Sequence, residues 1–129
     1  MRRQAGQDDT ICAISTAIGL AGIGVVRVSG AKAIPSRPVS FQGFRRTRER
    51  LPSHTAHYGH VIDPSSREII DEALFLIMKA PRTYTGEDIV EIQTHGSPLI
   101  LEKILSLLVK QGARLAASWR IYTQGIFIR

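Results

Sequence analysis

The sequence predicts an α+β fold with a mostly antiparallel sheet and one or two helices packed against it. Short segments rich in Ile and Val recur along the chain and are separated by turn residues, which is typical of strands. Two of them flank D-P-S-S-R-E at residues 63–68, a stretch that favours a hairpin turn. Residues 99–111 instead form a long apolar segment with helical signals at both ends.

Six strands are predicted in order along the chain. The segments that define them cover residues 10–15, 23–28, 56–63, 69–78, 88–95 and 113–117. Between the second and third strands, residues 30–53 contain Pro35, Pro38 and Pro52. Because prolines interrupt regular structure, we expect this segment to be loop and surface, with room only for a short helix near Ala31.

The clearest helix follows the fifth strand. Ser97 is a good N-cap, Pro98 takes the favoured first helical position, and Gly112 is a natural stop. Its polar residues form one narrow stripe at a spacing of four, namely Glu102, Ser106 and Lys110. The pattern predicts a largely buried helix that packs on the sheet.

Length and composition suit one domain with a tail at each end. A chain of 129 residues with 43% hydrophobic content can bury a core. We expect a flexible tail at residues 1–9, the domain at 10–117 and a divergent tail at 118–129. The formal net charge of +6 is compatible with RNA or an anionic ligand. The run R-R-T-R-E-R at 45–50 could contact phosphate, but without interleaved aromatic residues a solvated loop is favoured.

Cysteine use and hydropathy indicate a cytoplasmic protein. Cys12 is the single cysteine, so no internal disulfide can form, and we expect a buried structural thiol. Residues 10–26 loosely resemble a secretory signal, but Asp8 and Asp9 stand where positive charge is wanted. No run is apolar and long enough for a transmembrane helix, so no membrane partner is expected.

Two short patterns are weak signals. The glycine-rich residues 19–24 favour a tight turn, because G-x-x-x-x-G-K-[ST] occurs nowhere in the chain. No GTP site, and no potassium or magnesium site with it, is therefore predicted. His54, His57 and His60 are three apart, but in a strand His57 and His60 face opposite ways, which disfavours a metal site.

The fifth strand carries the candidate site. Alternation with period two puts Glu91, Gln93 and His95 on one face, opposite the apolar residues of the segment. This face is either the wet side of a sheet or the wall of a pocket for a polar ring.

Arg27 and Glu91 are candidates because each is a charged residue inside an apolar strand. Arg is rarely buried alone, so Arg27 predicts either a structural salt bridge with an acid or an anionic or polar ligand. The two oxygens of Glu91 can accept two parallel N–H bonds, as from guanine or a pterin. An exposed glutamate is the alternative.

Five stretches together resemble a known family. They are D-T-I-C-A-I-S-T, G-I-G-V-V-R-V-S-G, A-H-Y-G-H-V-I-D-P, A-P-R-T-Y-T-G-E-D-I-V-E-I-Q-T-H-G and Q-G-A-R-L-A. In this order they resemble the N-terminal domain of the MnmE (TrmE) family of tRNA modification GTPases. The resemblance covers residues 8–117, with 31–53 divergent, and its T-G-E-D block is highly specific.

The resemblance implies a fold similar to the folate-binding domain of aminomethyltransferases. It implies binding of a reduced folate, of the 5-formyl- or 5,10-methylene-tetrahydrofolate type, and a homodimer. In the family, the full protein acts with an MnmG-type flavoprotein on carbon 5 of the wobble uridine of tRNA, in the 5-carboxymethylaminomethyluridine pathway. By position, Arg27 and Glu91 match family residues that contact the folate, while Gln93 and His95 share the strand face of Glu91.

Two departures limit what the resemblance implies. After A-R-L-A the family continues with a stretch like E-P-G-E-F-T-K-R, whereas this chain reads A-S-W-R-I-Y-T-Q-G-I-F-I-R, so a basic folate contact is expected to be missing. The helical and GTPase domains are also absent, so we expect a truncated, non-catalytic form. The alternatives are a non-functional remnant and a small basic RNA-binding module.

Overall fold

Six strands form one sheet, and the helix found among the described residues packs on one of its faces. The structure, a computed structural model, describes residues 9–16, 21–34 and 51–116. The strands are β1 (Ile11–Ile14), β2 (Ile23–Ser29), β3 (Thr55–Ile62), β4 (Ile69–Met78), β5 (Ile89–His95) and β6 (Arg114–Leu115), and the helix α1 spans Pro98–Lys110. The predicted α+β class is confirmed.

The strand order β3-β4-β5-β2-β1-β6 places β5 and β2 at the centre of the sheet. All neighbouring strands are antiparallel except β1 and β6, which are parallel. The β3–β4 hairpin is the one predicted from the D-P-S-S-R-E turn. Because β5 returns to pair with β2, Arg27 lies directly opposite Glu91 in the ladder.

Helix α1 begins and ends where the sequence predicts. Ser97 has extended backbone angles, φ −72° and ψ 125°, and its side chain accepts a hydrogen bond from the Ile100 N–H. The chain leaves the helix at Gln111, and Gly112 follows with φ +109°, a region that favours glycine. None of the described helical residues belongs to a helix long and apolar enough to cross a membrane.

The exposed side of α1 is wider than the predicted polar stripe. Leu99 and Val109 are 62% and 44% exposed, although both are apolar. Four residues of the helix are buried, namely Leu101, Ile104, Leu107 and Leu108. The prediction of a largely buried helix was therefore wrong, because one helix on one face of a sheet buries a single stripe.

The main core lies between α1 and the sheet. Alternate residues of the central strands, among them Val26, Phe75 and Ile92, are buried with the inner face of α1. The approach is close at β2, where a Cβ added to Gly24 would lie 2.7 Å from the Leu101 Cδ1 atom. This packing fixes the plane of the sheet on which the candidate residues stand.

The other side of the sheet, here called the open face, is only partly covered. At one end Ala13, Met78 and Ile89 form a small buried cluster, with Leu76 and Ala116 packed against it. Beyond this cluster the open face carries Arg27, Glu91 and Gln93, which point away from α1 because they alternate with core residues.

The segment predicted as loop and surface contributes to the core at its ends. Ala33, Ile34 and Leu51 are each 1% exposed or less. Prolines mark where regular structure is interrupted, but they do not decide whether neighbouring apolar side chains are buried. The expected loop is found at both described ends of the segment, whereas the expected surface position of these three side chains was wrong. Residues 31–34 form turns and bends rather than a helix. Residues 35–50, with the arginine run, lie outside the described residues, as do 1–8 and 117–129.

Cys12 is fully buried on β1, as predicted for a structural thiol. Burial raises the pKa of this thiol to about 11, because an apolar environment disfavours the thiolate. The thiol therefore stays protonated near neutral pH and packs as a small apolar group.

Candidate binding site

Arg27 and Glu91 form an ion pair across the central strands. The Arg27 Nε–H donates to Glu91 Oε2 at 2.5 Å, and Nη2 contacts the same oxygen. Their side chains are 17% and 10% exposed, respectively. The two charged residues singled out from the sequence are thus partners, and the acid expected for a salt bridge with Arg27 is Glu91.

The two oxygens of Glu91 have different surroundings. Oε2 faces two nitrogens of the guanidinium, Nε and Nη2, whereas Oε1 accepts only a long bond of 3.4 Å from the Gln93 side-chain amide among the described residues. A carboxylate has about four lone-pair sites, two on each oxygen. Oε1 is therefore the acceptor that can take a further strong hydrogen bond, and this half of Glu91 points along the strand towards Gln93.

Tyr84 lies over the ion pair. The Arg27 Cζ atom is 4.9 Å from the centroid of the Tyr84 ring, within the range of a cation–π contact. The tyrosine itself is 59% exposed. It belongs to the loop between β4 and β5, so the site draws on a connection that the strand pattern alone does not reveal.

Buried polar residues hold this loop in place. The hydroxyls of Ser29 and Thr85 are 2.9 Å apart, and the Ala80 N–H donates to Asp88 Oδ1 at 2.8 Å. Thr85 and Asp88 are each 6% exposed. The loop is thus anchored immediately after Tyr84 and again where β5 begins.

His95 is held by an aspartate of the neighbouring strand. Its ring Nδ1 lies 2.9 Å from Asp71 Oδ2, and its backbone N–H donates to the same carboxylate at 3.1 Å. The hydrogen bond with Asp71 raises the pKa of His95, and the charge of Asp71 acts in the same direction. Burial pushes the pKa of Asp71 upward, but the bonds from His95 and its charge lower it overall.

This pair gives a pH-dependent contribution to stability that can be tested with His95→Gln. Because the folded pKa of His95 is raised, its contribution is complete below about pH 6.5, the ordinary value, and is lost as the pH rises through the raised pKa. The melting temperature of the unchanged protein should therefore fall more than that of His95→Gln between pH 5.5 and pH 8.5. Equal falls in both proteins would contradict the pairing, and His60→Gln serves as the control.

A shallow groove adjoins the ion pair on the open face. Its volume is about 260 Å³, slightly below the roughly 300–1,000 Å³ typical of small-molecule sites. Side chains from four strands line it, among them Ile23, Tyr58, Glu72, Leu74, Gln93 and His95. The groove is mainly apolar, with Gln93 linking it to Glu91.

The structure brings together three of the four predicted site residues. Arg27, Glu91 and Gln93 form one chain of direct contacts, while His95 is paired with Asp71 and shares only the groove with Gln93. The strand face is therefore not simply wet, since Glu91 is 7% exposed. The sequence analysis missed Tyr84 and Asp71. Tyr84 is an aromatic residue in the loop before β5, and Asp71 is the first of two consecutive acids within the apolar β4.

The three histidines of the third strand and its approach do not converge. His57 pairs with Phe75, whose side chain is in the core, whereas His60 lies on the open face with its ring 5.5 Å from that of Tyr58. The opposite orientation predicted from strand alternation is confirmed. Within the ranges that the structure describes, no three His, Cys, Asp or Glu side chains are grouped to hold a metal ion.

The arrangement suits a planar polar molecule. It offers a buried acceptor at Glu91 Oε1, a neighbouring amide at Gln93, an aromatic ring at Tyr84 and a partly apolar groove. Small-molecule sites usually combine a small number of polar groups with a mainly apolar surface.

Comparison with known families gives one match that covers most of the chain. The family model described as "GTP-binding protein TrmE N-terminus" matches residues 10–119. This span includes all six strands and α1.

Individual proteins agree with the family match. The chain is 52% identical over 109 residues to the tRNA modification GTPase MnmE of Thermoanaerobacter pseudethanolicus. The aligned region covers 84% of this chain and 24% of that protein. It is 49% identical over 110 residues to the protein of the same name from Carboxydothermus hydrogenoformans, with the same two coverages of 84% and 24%. The chain thus spans about a quarter of the length of the curated relatives it matches.

Proposed function

Because the chain belongs to the TrmE N-terminal family, we propose that it is a reduced-folate-binding domain. The ligand is of the 5-formyl- or 5,10-methylene-tetrahydrofolate type, and its pterin ring occupies the open face beside Glu91. Folate binding by this domain is the function that the family resemblance implies, and the site chemistry agrees with it.

The observation that carries the proposal is that one oxygen of the Glu91 carboxylate is paired with Arg27, while the other has room for a further strong hydrogen bond. The group is 7% exposed, its Oε2 is held by Arg27, and its Oε1 has only the 3.4 Å bond from Gln93 among the described residues. A buried carboxylate oxygen gains from a strong donor, since charge-assisted bonds are about twice as strong as neutral ones. A pterin presents an amino group beside a ring N–H, which are donors of the required kind.

The ion pair changes how the pterin meets Glu91. The sequence suggested two parallel bonds to two oxygens, but Oε2 already faces two nitrogens of Arg27. In the proposed complex one N–H of the ligand donates to Oε1, and the Gln93 amide turns so that its carbonyl accepts the second. The long hydrogen bond between Gln93 and Glu91 is lost in this complex and is replaced by the two hydrogen bonds to the ligand.

The wider role follows from the relatives, which are named tRNA modification GTPases. We propose that the domain serves the modification of carbon 5 of the wobble uridine, in the cytoplasm, as a homodimer and with an MnmG-type flavoprotein. In this proposal the domain supplies the folate site and does not hydrolyse GTP, because the sequence contains no G-x-x-x-x-G-K-[ST].

The test is a thermal melt of the chain with and without 5-formyl-tetrahydrofolate. A ligand that binds only the folded state stabilises it by about 2.7 kcal/mol at a concentration of 100 Kd. For a domain of this size that corresponds to a rise in melting temperature of roughly 5–15 °C.

Two parallel melts sharpen this experiment. GTP with magnesium should leave the melting temperature unchanged, since no P-loop is present. Absence of a folate-dependent rise at millimolar ligand, in a chain that still melts cooperatively, would overturn the proposal. A chain without a cooperative transition would instead support the alternative of a non-functional remnant.

A further inference from the structure

We infer that Tyr84 contacts the ligand directly, as the aromatic surface on which its heterocycle stacks beside Glu91. The inference rests on the proposed function, and it adds to the site a loop residue that lies outside the pattern of β5. It also specifies that the ligand group next to Glu91 is a flat ring with a π-face.

The first support is the position of the ring. Tyr84 covers the guanidinium of Arg27 with 4.9 Å between Cζ and the ring centroid, and that guanidinium donates to Glu91. N–H donors prefer to lie near the plane of the carboxylate that accepts them. The guanidinium on Oε2 and a heterocycle bonded to Oε1 would lie side by side near this plane. In the proposed complex the Tyr84 ring, which stands over the guanidinium, turns towards the heterocycle and stacks on its near edge.

The second support is that Tyr84 is exposed while its surroundings are fixed. Its side chain is 59% exposed, yet the next residue, Thr85, is 6% exposed and bonded to Ser29 at 2.9 Å. The Thr83 hydroxyl donates to the Glu87 carbonyl at 2.6 Å, which closes the loop on itself. A ring held on such a loop loses little conformational freedom when a ligand stacks on it, which favours binding.

The third support is that the ring lies outside the buried clusters formed by the described residues. The buried clusters on the two faces of the sheet consist of other residues, so the ring contributes little burial at its present exposure. Shielding of Arg27 is the simpler role, and a cation–π contact at such a position is a weak interaction. The Tyr84 ring can also stack on a ligand. Such stacking is effective for heterocycles in general, because every heterocycle of this kind has a π-face.

Titration calorimetry with 5-formyl-tetrahydrofolate tests the inference on four proteins. They are the unchanged chain, Tyr84→Ala, Tyr84→Phe and Leu99→Ala. We expect Tyr84→Ala to bind about tenfold more weakly, within the range measured when an aromatic stacking partner is removed. Tyr84→Phe should stay within about twofold of the unchanged chain, because it keeps the ring and loses only the hydroxyl.

Leu99→Ala is the matched control. Leu99 is 62% exposed, close to the 59% of Tyr84, but it lies on α1 at the opposite side of the sheet. Its replacement should leave the affinity unchanged. Melting curves without ligand should show that all four proteins fold, since both substituted positions are largely exposed.

The outcomes separate this inference from the proposed function. Tight binding by the unchanged chain together with equal affinity of Tyr84→Ala would overturn the inference and leave the proposed function standing. Equal losses in Tyr84→Ala and Tyr84→Phe would also overturn it, because the hydroxyl rather than the ring would then matter. If the unchanged chain does not bind, the proposed function fails and the inference fails with it.

Discussion

Glu91→Gln is expected to weaken the binding of 5-formyl-tetrahydrofolate at least about tenfold. The substitution keeps the volume but replaces one acceptor oxygen with an amide that donates. If the NH₂ group takes the place of Oε1, it faces the donor of the pterin. If it takes the place of Oε2, it faces Arg27. A charge-assisted bond contributes about 1.5–3 kcal/mol, and an unpaired buried donor adds a penalty of similar size.

Titration calorimetry on Glu91→Gln and Glu68→Gln measures this effect. Glu68 is an exposed residue of the turn between β3 and β4, where substitutions usually change stability by less than about 0.5 kcal/mol. The informative quantity is the ratio of each variant's affinity to that of the unchanged chain, because this ratio does not depend on how tightly the unchanged chain itself binds. Equal affinities for the unchanged chain and Glu91→Gln, with folate clearly bound, would remove Glu91 from the site.

Arg27→Met is expected to lower the free energy of unfolding by about 3 kcal/mol. The side chain of Glu91 is 10% exposed, so removal of the guanidinium leaves a carboxylate with little access to water and no cationic partner. The double substitution Arg27→Met/Glu91→Leu should recover most of the loss. Replacing both partners of a buried pair with apolar residues is often neutral, whereas breaking the pair is destabilising.

Urea unfolding of the two single variants and the double variant gives the coupling free energy. Glu91→Leu alone should also be destabilised, because it leaves Arg27 without its carboxylate. Additive losses in the double variant would mean that the two side chains contribute independently to stability. That result would contradict the ion pair as the structure shows it.

Local pattern was sufficient for the elements of this fold. Both ends of β4, the start of β2, the end of β5 and the first helical residue coincide with the prediction, and the other predicted bounds differ by one or two residues. These segments carry their own signals: alternation in β5, a turn between β3 and β4, and an N-cap at Ser97. The orientation of Glu91, Gln93 and His95 on one face follows from alternation alone.

The composition of the site was harder to predict because it depends on which strands are neighbours. Arg27 and Glu91 were each recognised as charges in apolar strands, but that they neutralise each other follows only from the pairing of β2 with β5. Tyr84 was overlooked because the path of a loop is not encoded in periodicity. The burial of Leu51 was missed because proline content was taken as a sign of exposure.

The pairing of β2 with β5 also has a kinetic consequence. It joins residues 64 positions apart, and the strands between them in sequence, β3 and β4, can form their hairpin without it. Local contacts close quickly, whereas pairings across a long stretch of chain are slow because loop closure must be completed first. We therefore expect a refolding chain to form this hairpin before the ion pair, so that the proposed site at Glu91 is completed only in the non-local step.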